Sequence, residues 1–394
     1  MLGPRATRAR TGAGAGPAPG GGGGGGTGTG RAPHTADATA AVDAVLAEYL
    51  HTRLEEARRV DAVFAEEVAS RVAAFALHGG KRLRPAFVRC GWLAAGGTGD
   101  PRTPPRVGAA LELLQTCALV HDDVMDESPV RRGAPAMHAD FARRHEAARM
   151  RGSAASFSAT AAVLAGDLAL AWADDLFTET ALTSPHGPRL HAEWRAMRGE
   201  MVAGQYLDMR AQATGSSDPA QARKIATLKS ALYTVERPLA LGASLAGADA
   251  PAVDALRSAG RCAGLAFQLR DDLLSVFGDP SRTGKPADED LRARKLTGLL
   301  AIALRLAAES GDTDALDVLG PDGDPTGGGT VERMRAALER TGARAVVEEE
   351  IAVLSESSLR HFAAADPDAR ARREFAGLVA RAVGTAPSHD EEAL

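Results

Sequence analysis

From Ala36 onward the chain reads as one helical segment after another. "PPRVGAALELLQTCALVHDDVMD" (104–126) sets apolar side chains at three- and four-residue spacing, the period of a helix face. "SFSATAAVLAGDLALAWADDLFTETAL", "PAVDALRSAGRCAGLAFQLRDDLLSVFG" and "KLTGLLAIALRLAAES" repeat the pattern. Breaks fall at Pro- and Gly-rich spots around 183–188, 278–286 and 319–329. No β-branched alternation is long enough to argue a sheet. Several segments are apolar nearly all round, which requires a buried central layer. With 4% aromatic residues and abundant Ala and Leu, the contacts between helices must be thin and close. The expectation is an all-α, single-domain helical bundle over residues 36–394, with no composition shift to divide it. Residues 1–35, which include an unbroken glycine run from Gly20 to Gly26, cannot bury enough apolar surface to offset their ordering entropy and read as a disordered Gly/Ala/Pro-rich tail.

The net charge of −5 and pI near 6.1 give no nucleic-acid footprint. Cys90, Cys117 and Cys262 are far apart in apolar surroundings, without a CxxC pair, which fits a reducing cytoplasm. No run of 18 uncharged apolar residues occurs, so no membrane span is expected.

The chemistry concentrates where two apolar helices end in carboxylates. In "HDDVMD", Asp122 and Asp126 are four apart and share a helix face, with Asp123 beside them. Such neighbours repel unless a cation lies between them, and acid at a helix C-terminus opposes the dipole. Hard oxygen ligands point to Mg²⁺, which keeps several waters and shares itself with substrate phosphates. "FQLRDDLLSVFGD" delivers a second pair, Asp271 and Asp272, with Asp279 beyond. Two such walls could clamp metal ions around one polyanion, the arrangement that stabilises a departing diphosphate.

Cations flank both clusters. "GGKRLRP" carries Lys81, Arg82 and Arg84; Arg131 and Arg132 follow the first cluster; "TGKP" and "ARKLT" bring Lys285 and Lys295. Arg binds phosphate oxygens bidentately and Lys acts as a point charge. One diphosphate would be held through metals and a second directly by Lys and Arg.

Taken in order, "GGKRLRP", "LELLQTCALVHDDVMDESPVRRG", "GQYLD", "KSALYT", "FQLRDD" and "GKPADEDLRARK" resemble the trans-isoprenyl diphosphate synthases of the polyprenyl synthetase family, over roughly residues 40–385. The resemblance implies a bundle around a deep central cavity, a homodimer, and head-to-tail condensation of isopentenyl diphosphate onto an allylic diphosphate. It implies that Asp122 and Asp126 coordinate Mg²⁺ and that Asp271 holds a further Mg²⁺ with Asp272 nearby, three ions per site in all. Arg131, Lys229, Lys285 and Lys295 would contact the allylic diphosphate. Lys81, Arg84, Gln115 and Arg132 would hold isopentenyl diphosphate, while Ser230 and Gln268 line the space near the forming cation. The departing diphosphate serves as proton acceptor, so His121 and His138 read as structural. Two positions depart from the pattern: Ser275 replaces the last Asp of the second motif, and Ser230 replaces a Thr.

The resemblance also makes product length a matter of cavity depth. Ala118, Cys117 and Leu114, four, five and eight residues before Asp122, would lie along the growing tail, with Leu111, Leu164, Leu168 or Trp172 as candidate floor. Small residues at 117 and 118 favour geranylgeranyl diphosphate, C20, over a farnesyl or a longer product. A terpene cyclase would carry a different second motif and no isopentenyl site. A non-catalytic partner subunit would have lost its acidic motifs.

Overall fold

The computed structural model describes residues 35–278, 289–321 and 329–384. The tail expected over residues 1–35 lies outside the described residues up to residue 34, as do Lys285 and Asp279, and Thr35 already opens the first helix. The helices, in chain order, are α1 (Thr35–Val60), α2 (Ala62–Phe64), α3 (Ser70–Leu77), α4 (Leu83–Ala94), α5 (Thr103–Met125), α6 (Met137–Ala147), α7 (Ala154–Leu182), α8 (Gly187–Thr214), α9 (Pro219–Ile225), α10 (Arg237–Leu245) and α11 (Ala250–Phe277). They continue with α12 (Glu289–Arg292), α13 (Gly298–Ser310), α14 (Thr313–Leu319), α15 (Thr330–Arg340), α16 (Ala343–Ala363) and α17 (Ala369–Ala382). Two stretches are π-helical: Ala65–Ala69, and the eleven residues Ala226–Glu236 between α9 and α10. The fold is all-α, as the periodicity requires.

Local chemistry sets the helix ends. Two prolines open α5, where the missing N–H costs nothing. Asp249 caps α11 by accepting the Ala252 N–H at 2.9 Å, and Thr297 caps α13 through the Leu300 N–H at 3.2 Å. The core divides into packed layers. Around α1, α5 and α7 it is built from Leu111, Leu113 and Leu114 with a lining of alanines, including Ala162, Ala165, Ala169 and Ala173. A second layer joins α11, α13 and α16 through Leu269, Leu273, Leu299 and Val347. The few aromatic residues work in pairs: Phe177 stacks on Trp194 with centroids 4.2 Å apart, and Phe362 on Phe375 at 4.0 Å.

The periodicity did not foresee a two-residue ladder, in which Val130 pairs with Pro135 and Arg131 with Ala134. Arg132 and Gly133 turn it at φ 54° and 73°. This hairpin sends the two adjacent arginines to different partners. Among the described residues, α7 is long and apolar enough to cross a membrane, and only 28% of its most apolar window is buried.

Candidate active site

The C-terminal ends of α5 and α11 face one cavity of about 480 Å³, completed by the start of α4, the hairpin, α8, the π-helical segment 226–236 and the residues leading into α13. Asp122, Asp271, Asp272, Lys81, Arg84, Gln115, Arg131, Arg132, Lys229, Ser230, Gln268 and Lys295 all line it. These residues from separate motifs therefore share one space, while Asp123 and Asp126 of the first motif sit behind its lining.

The first cluster is a network of charge pairs. Asp123 is fully buried and accepts the Arg131 Nε–H at 2.7 Å, while Arg131 Nη2 reaches Asp122 Oδ2 at 3.3 Å. Asp122 Oδ1 receives Lys229 Nζ at 3.1 Å and Gln205 Nε2 at 3.0 Å. Lys229 also holds Asp208 Oδ2 at 2.7 Å. Lys295 Nζ lies 2.5 Å from Asp126 Oδ2. Burial alone would raise the Asp122 carboxyl, but Lys229, Lys295 and Arg131 together hold it down at about 2. For Asp126, burial and the neighbouring Asp122 charge outweigh Lys295 and push the carboxyl up. Burial would lower the Lys229 ammonium, yet Asp122 and Asp208 raise it. Lys229 is placed by a close approach: a Cβ at Gly204 of α8 would sit 2.4 Å from the Lys229 backbone nitrogen, so only glycine lets α8 and the π-helical segment come together.

The second cluster splits by role. Asp271 is exposed to the cavity and forms no ion pair among the described residues. Asp272 is buried and ties two elements together, accepting from Gln268 Nε2 at 2.8 Å and from the Gly298 backbone N–H at 2.9 Å. Burial, then the charges of Asp271 and Asp290, push its carboxyl up to about 7 against these two hydrogen bonds. Ser275 turns back to its own helix, donating to Asp272 O at 2.9 Å, and does not line the cavity.

On the opposite wall Arg84 lies 4.2 Å above the Tyr233 ring and donates to Thr234 Oγ1 at 2.9 Å, while Tyr233 donates to Gln115 Oε1 at 2.8 Å. Arg132 donates to the His78 carbonyl at 2.8 Å, and Lys81 is exposed. Arg82, grouped by sequence with Lys81 and Arg84, also lines the cavity but is largely buried there, with a left-handed backbone at φ 46° and an ion pair to Glu112 at 2.5 Å.

The tail-side expectations need correction. Ala118 lines the cavity beside Leu119, Met201 and Phe267. Cys117 and Leu114 are sealed in the core shared with α7 and do not line it. One residue along a helix turns the side chain by about 100°, which here takes Cys117 away from the side where Ala118 and Leu119 meet the cavity and into the layer against α7. Leu111 and Trp172 are likewise core, Leu168 packs against it, and Leu164 is 59% exposed on the outer surface. His121 reaches the Val163 carbonyl at 3.1 Å, and His138 is half-buried with its Nδ1 inside; neither lines the cavity.

Sequence reasoning quoted "GQYLD" and "KSALYT" without assigning Gln205, Asp208, Tyr233 or Thr234. The three-residue spacing of Gln205 and Asp208, which puts both on one helix face, was the available signal.

The donor set fits Mg²⁺: hard carboxylate oxygens on two facing helix ends, with cations in place to receive phosphate oxygens. Among the described residues no three candidate ligands gather at one point, so ions there would need substrate oxygens to complete their shells.

The polyprenyl synthetase family pattern matches residues 66–333. The fold superimposes on geranylgeranyl pyrophosphate synthase from Corynebacterium glutamicum, solved with isoprenyl diphosphate and magnesium, with a TM-score of 0.85 and 35% identity over 90% of this chain and 100% of that one. Geranylfarnesyl diphosphate synthase of Aeropyrum pernix is 30% identical over 265 residues, 66% of this chain and 77% of its own. The (2E,6E)-farnesyl diphosphate synthase of Mycobacterium tuberculosis is 36% identical over 219 residues, 55% of each chain. The chain belongs to the polyprenyl synthetase family and is a prenyltransferase.

Proposed function

We propose that this prenyltransferase makes geranylgeranyl diphosphate by adding isopentenyl diphosphate to an allylic diphosphate. The observation that carries the reading is the small side chain of Ala118 on the cavity wall, four residues before Asp122, where an aromatic ring would stop a C15 chain. Each further methylene taken from water stabilises the growing tail by about 0.8 kcal/mol, so elongation continues while the wall stays open.

Arg131, Lys229 and Lys295, together with Lys285, bind the allylic diphosphate, and Lys81, Arg84, Gln115 and Arg132 bind isopentenyl diphosphate. Mg²⁺ held through Asp122, Asp126 and Asp271, three ions by resemblance, supplies charge neutralisation on the leaving diphosphate when bound. The cations pull charge onto that group as the allylic C–O bond breaks and the diphosphate leaves with the electron pair. The isopentenyl double bond attacks the carbocation to form the new C–C bond. The proton then lost goes to the departing diphosphate, so no histidine is needed. Ser230 and Gln268 line the space around the forming cation.

The partner in this reading is a second copy of the chain. Val163, Leu164, Asp167, Ala171, Asp175 and Leu182 form a continuous exposed stripe along α7. A lipid-facing helix would not carry Asp167 and Asp175 on that stripe, whereas a face against a second copy can leave their carboxylates in water at its rim. Leu164→Glu should convert a dimer to a monomer in light scattering; a monomeric wild type, or vesicle binding, would remove the dimer. Three free thiols fit a cytoplasmic location.

The decisive experiment is incubation with Mg²⁺, isopentenyl diphosphate and each of the C5, C10 and C15 allylic diphosphates, with products weighed by mass spectrometry. C20 is expected. C15 alone would keep the chemistry and move the floor upward. No condensation from any starter would revive the cyclase and partner-subunit readings.

A further inference from the structure

Each lysine at the first acidic cluster is held by two carboxylates, one inside the motif and one outside it. Lys229 Nζ lies 3.1 Å from Asp122 Oδ1 but 2.7 Å from Asp208 Oδ2. Lys295 shows the reverse balance, 2.5 Å from Asp126 Oδ2 and 3.7 Å from Asp290 Oδ1. Lys229 therefore keeps its tighter partner if Asp122 is taken by another cation. Lys295 loses its tighter partner if Asp126 is taken.

Lys295 is also aimed from an anchored segment. Thr297 N–H donates to the Lys295 carbonyl at 2.8 Å, and the next residue, Gly298, donates its N–H to Asp272 Oδ2 at 2.9 Å. A Cβ at Gly298 would lie 2.8 Å from Leu269 Cδ2 and 3.3 Å from Asp272 Oδ2, so the segment docks on α11 without room for a side chain. Lys295 thus straps the helix of the second acidic motif to the last carboxylate of the first. Asp126 is paired by a strap, while Asp271 across the cavity forms no ion pair among the described residues.

We propose that Lys295 is an exchangeable counter-ion that makes divalent metal and diphosphate bind as a linked pair. The proposal rests on the metal–diphosphate reading of the site. A metal arriving alone must displace Lys295 from Asp126 and leave its ammonium with only the distant Asp290. A diphosphate arriving alone meets Asp122, Asp126 and Asp271 without added positive charge. Arriving together, the metal takes Asp126 and the diphosphate takes the released Lys295, so each removes the other's penalty. By linkage the affinity gain is the same whichever binds first.

The test is Mn²⁺ binding to the full chain, followed by electron paramagnetic resonance, with and without inorganic diphosphate and with free Mn²⁺ corrected for complexes in solution. In wild type, diphosphate should tighten Mn²⁺ by about tenfold or more. In Lys295→Met, Mn²⁺ alone should bind about threefold or more tighter than in wild type, and the gain from diphosphate should shrink correspondingly. A merely structural lysine would weaken Mn²⁺ binding or leave it unchanged on removal, and either result overturns the proposal. A wild type that binds Mn²⁺ equally well with and without diphosphate also overturns it while leaving the metal reading intact. No Mn²⁺ binding under either condition would sink the metal reading itself. Lys295→Gln gives the same readout if circular dichroism shows the Met variant unfolded.

Discussion

The Arg84 guanidinium rests on the face of Tyr233, 4.2 Å from the ring centroid, and the same Tyr233 donates its hydroxyl proton to Gln115 Oε1 at 2.8 Å. One aromatic side chain thus orients two residues expected at the isopentenyl diphosphate.

Tyr233→Phe keeps the ring under Arg84 and removes the bond to Gln115. A hydrogen bond of about 0.5–1.5 kcal/mol corresponds to a rise of about two- to tenfold in KM for isopentenyl diphosphate. Tyr233→Ala also removes the cation–π contact, about 2 kcal/mol when desolvated, and should raise that KM about thirtyfold beyond the Phe variant. Steady-state kinetics with each substrate varied in turn gives the answer. A rise confined to the allylic substrate would move Arg84 to the other diphosphate.

Asp122→Asn and Asp271→Asn should each lower kcat by about a hundredfold or more, because each removes charge stabilisation from the leaving group. Their stabilities should differ. Asp271 forms no ion pair among the described residues, so its variant should melt like wild type. Asp122 answers Lys229 and Arg131, so its variant should melt lower. Near-normal turnover in either would show that the acidic motifs do not hold the metal.

Asp272 predicts a pH dependence of the metal-free protein. Its carboxyl sits near 7 in the fold, because of burial, against about 3.9 in an unfolded chain. The folded state therefore binds the additional proton between those values. Its contribution is fully present below about pH 4 and is lost as pH rises through 7. Melting temperatures of metal-free wild type should fall from pH 5 to 8, and Asp272→Asn should flatten that slope. An equal slope in both would assign it to other groups.

Ala118 and Cys117 separate cavity from core. Ala118→Phe should shorten the product from C20 toward C15 at unchanged fold, read by mass spectrometry. Cys117→Phe places a ring in the closed layer against α7 and should cost about 1–3 kcal/mol of stability instead, read by denaturant melts. A shortened product from the Cys117 variant alone would reverse the assignment of the two walls.

The helices and the two acidic ends were legible because they follow from spacing within about ten residues. Partners across the cavity were not. Asp208 meets Lys229 across 21 positions, and Arg84 meets Thr234 across 150, distances at which no local period carries information. Arg82 shows the same limit in another form. It lines the cavity with Lys81 and Arg84, but its charge is already answered by the buried Glu112, 30 positions away, which the letters "GGKRLRP" do not show. The tail positions failed because spacing alone does not fix which arc of α5 faces the cavity: Ala118 and Leu119 lie on that arc and Cys117 does not.

The π-helical segment Ala226–Glu236 carries both Lys229 and Ser230 toward the cavity and Tyr233 beneath Arg84. A π-turn accommodates more residues per turn than an α-turn, so this stretch contains surplus chain that a regular helix between α9 and α10 would not hold. Its length is consequently as much a part of the active site as its letters. Removing a single residue there would let the backbone relax to an ordinary helix, swinging Lys229 off Asp208 and withdrawing Tyr233 from Arg84 in one step. No substitution at any one of those positions could imitate that change.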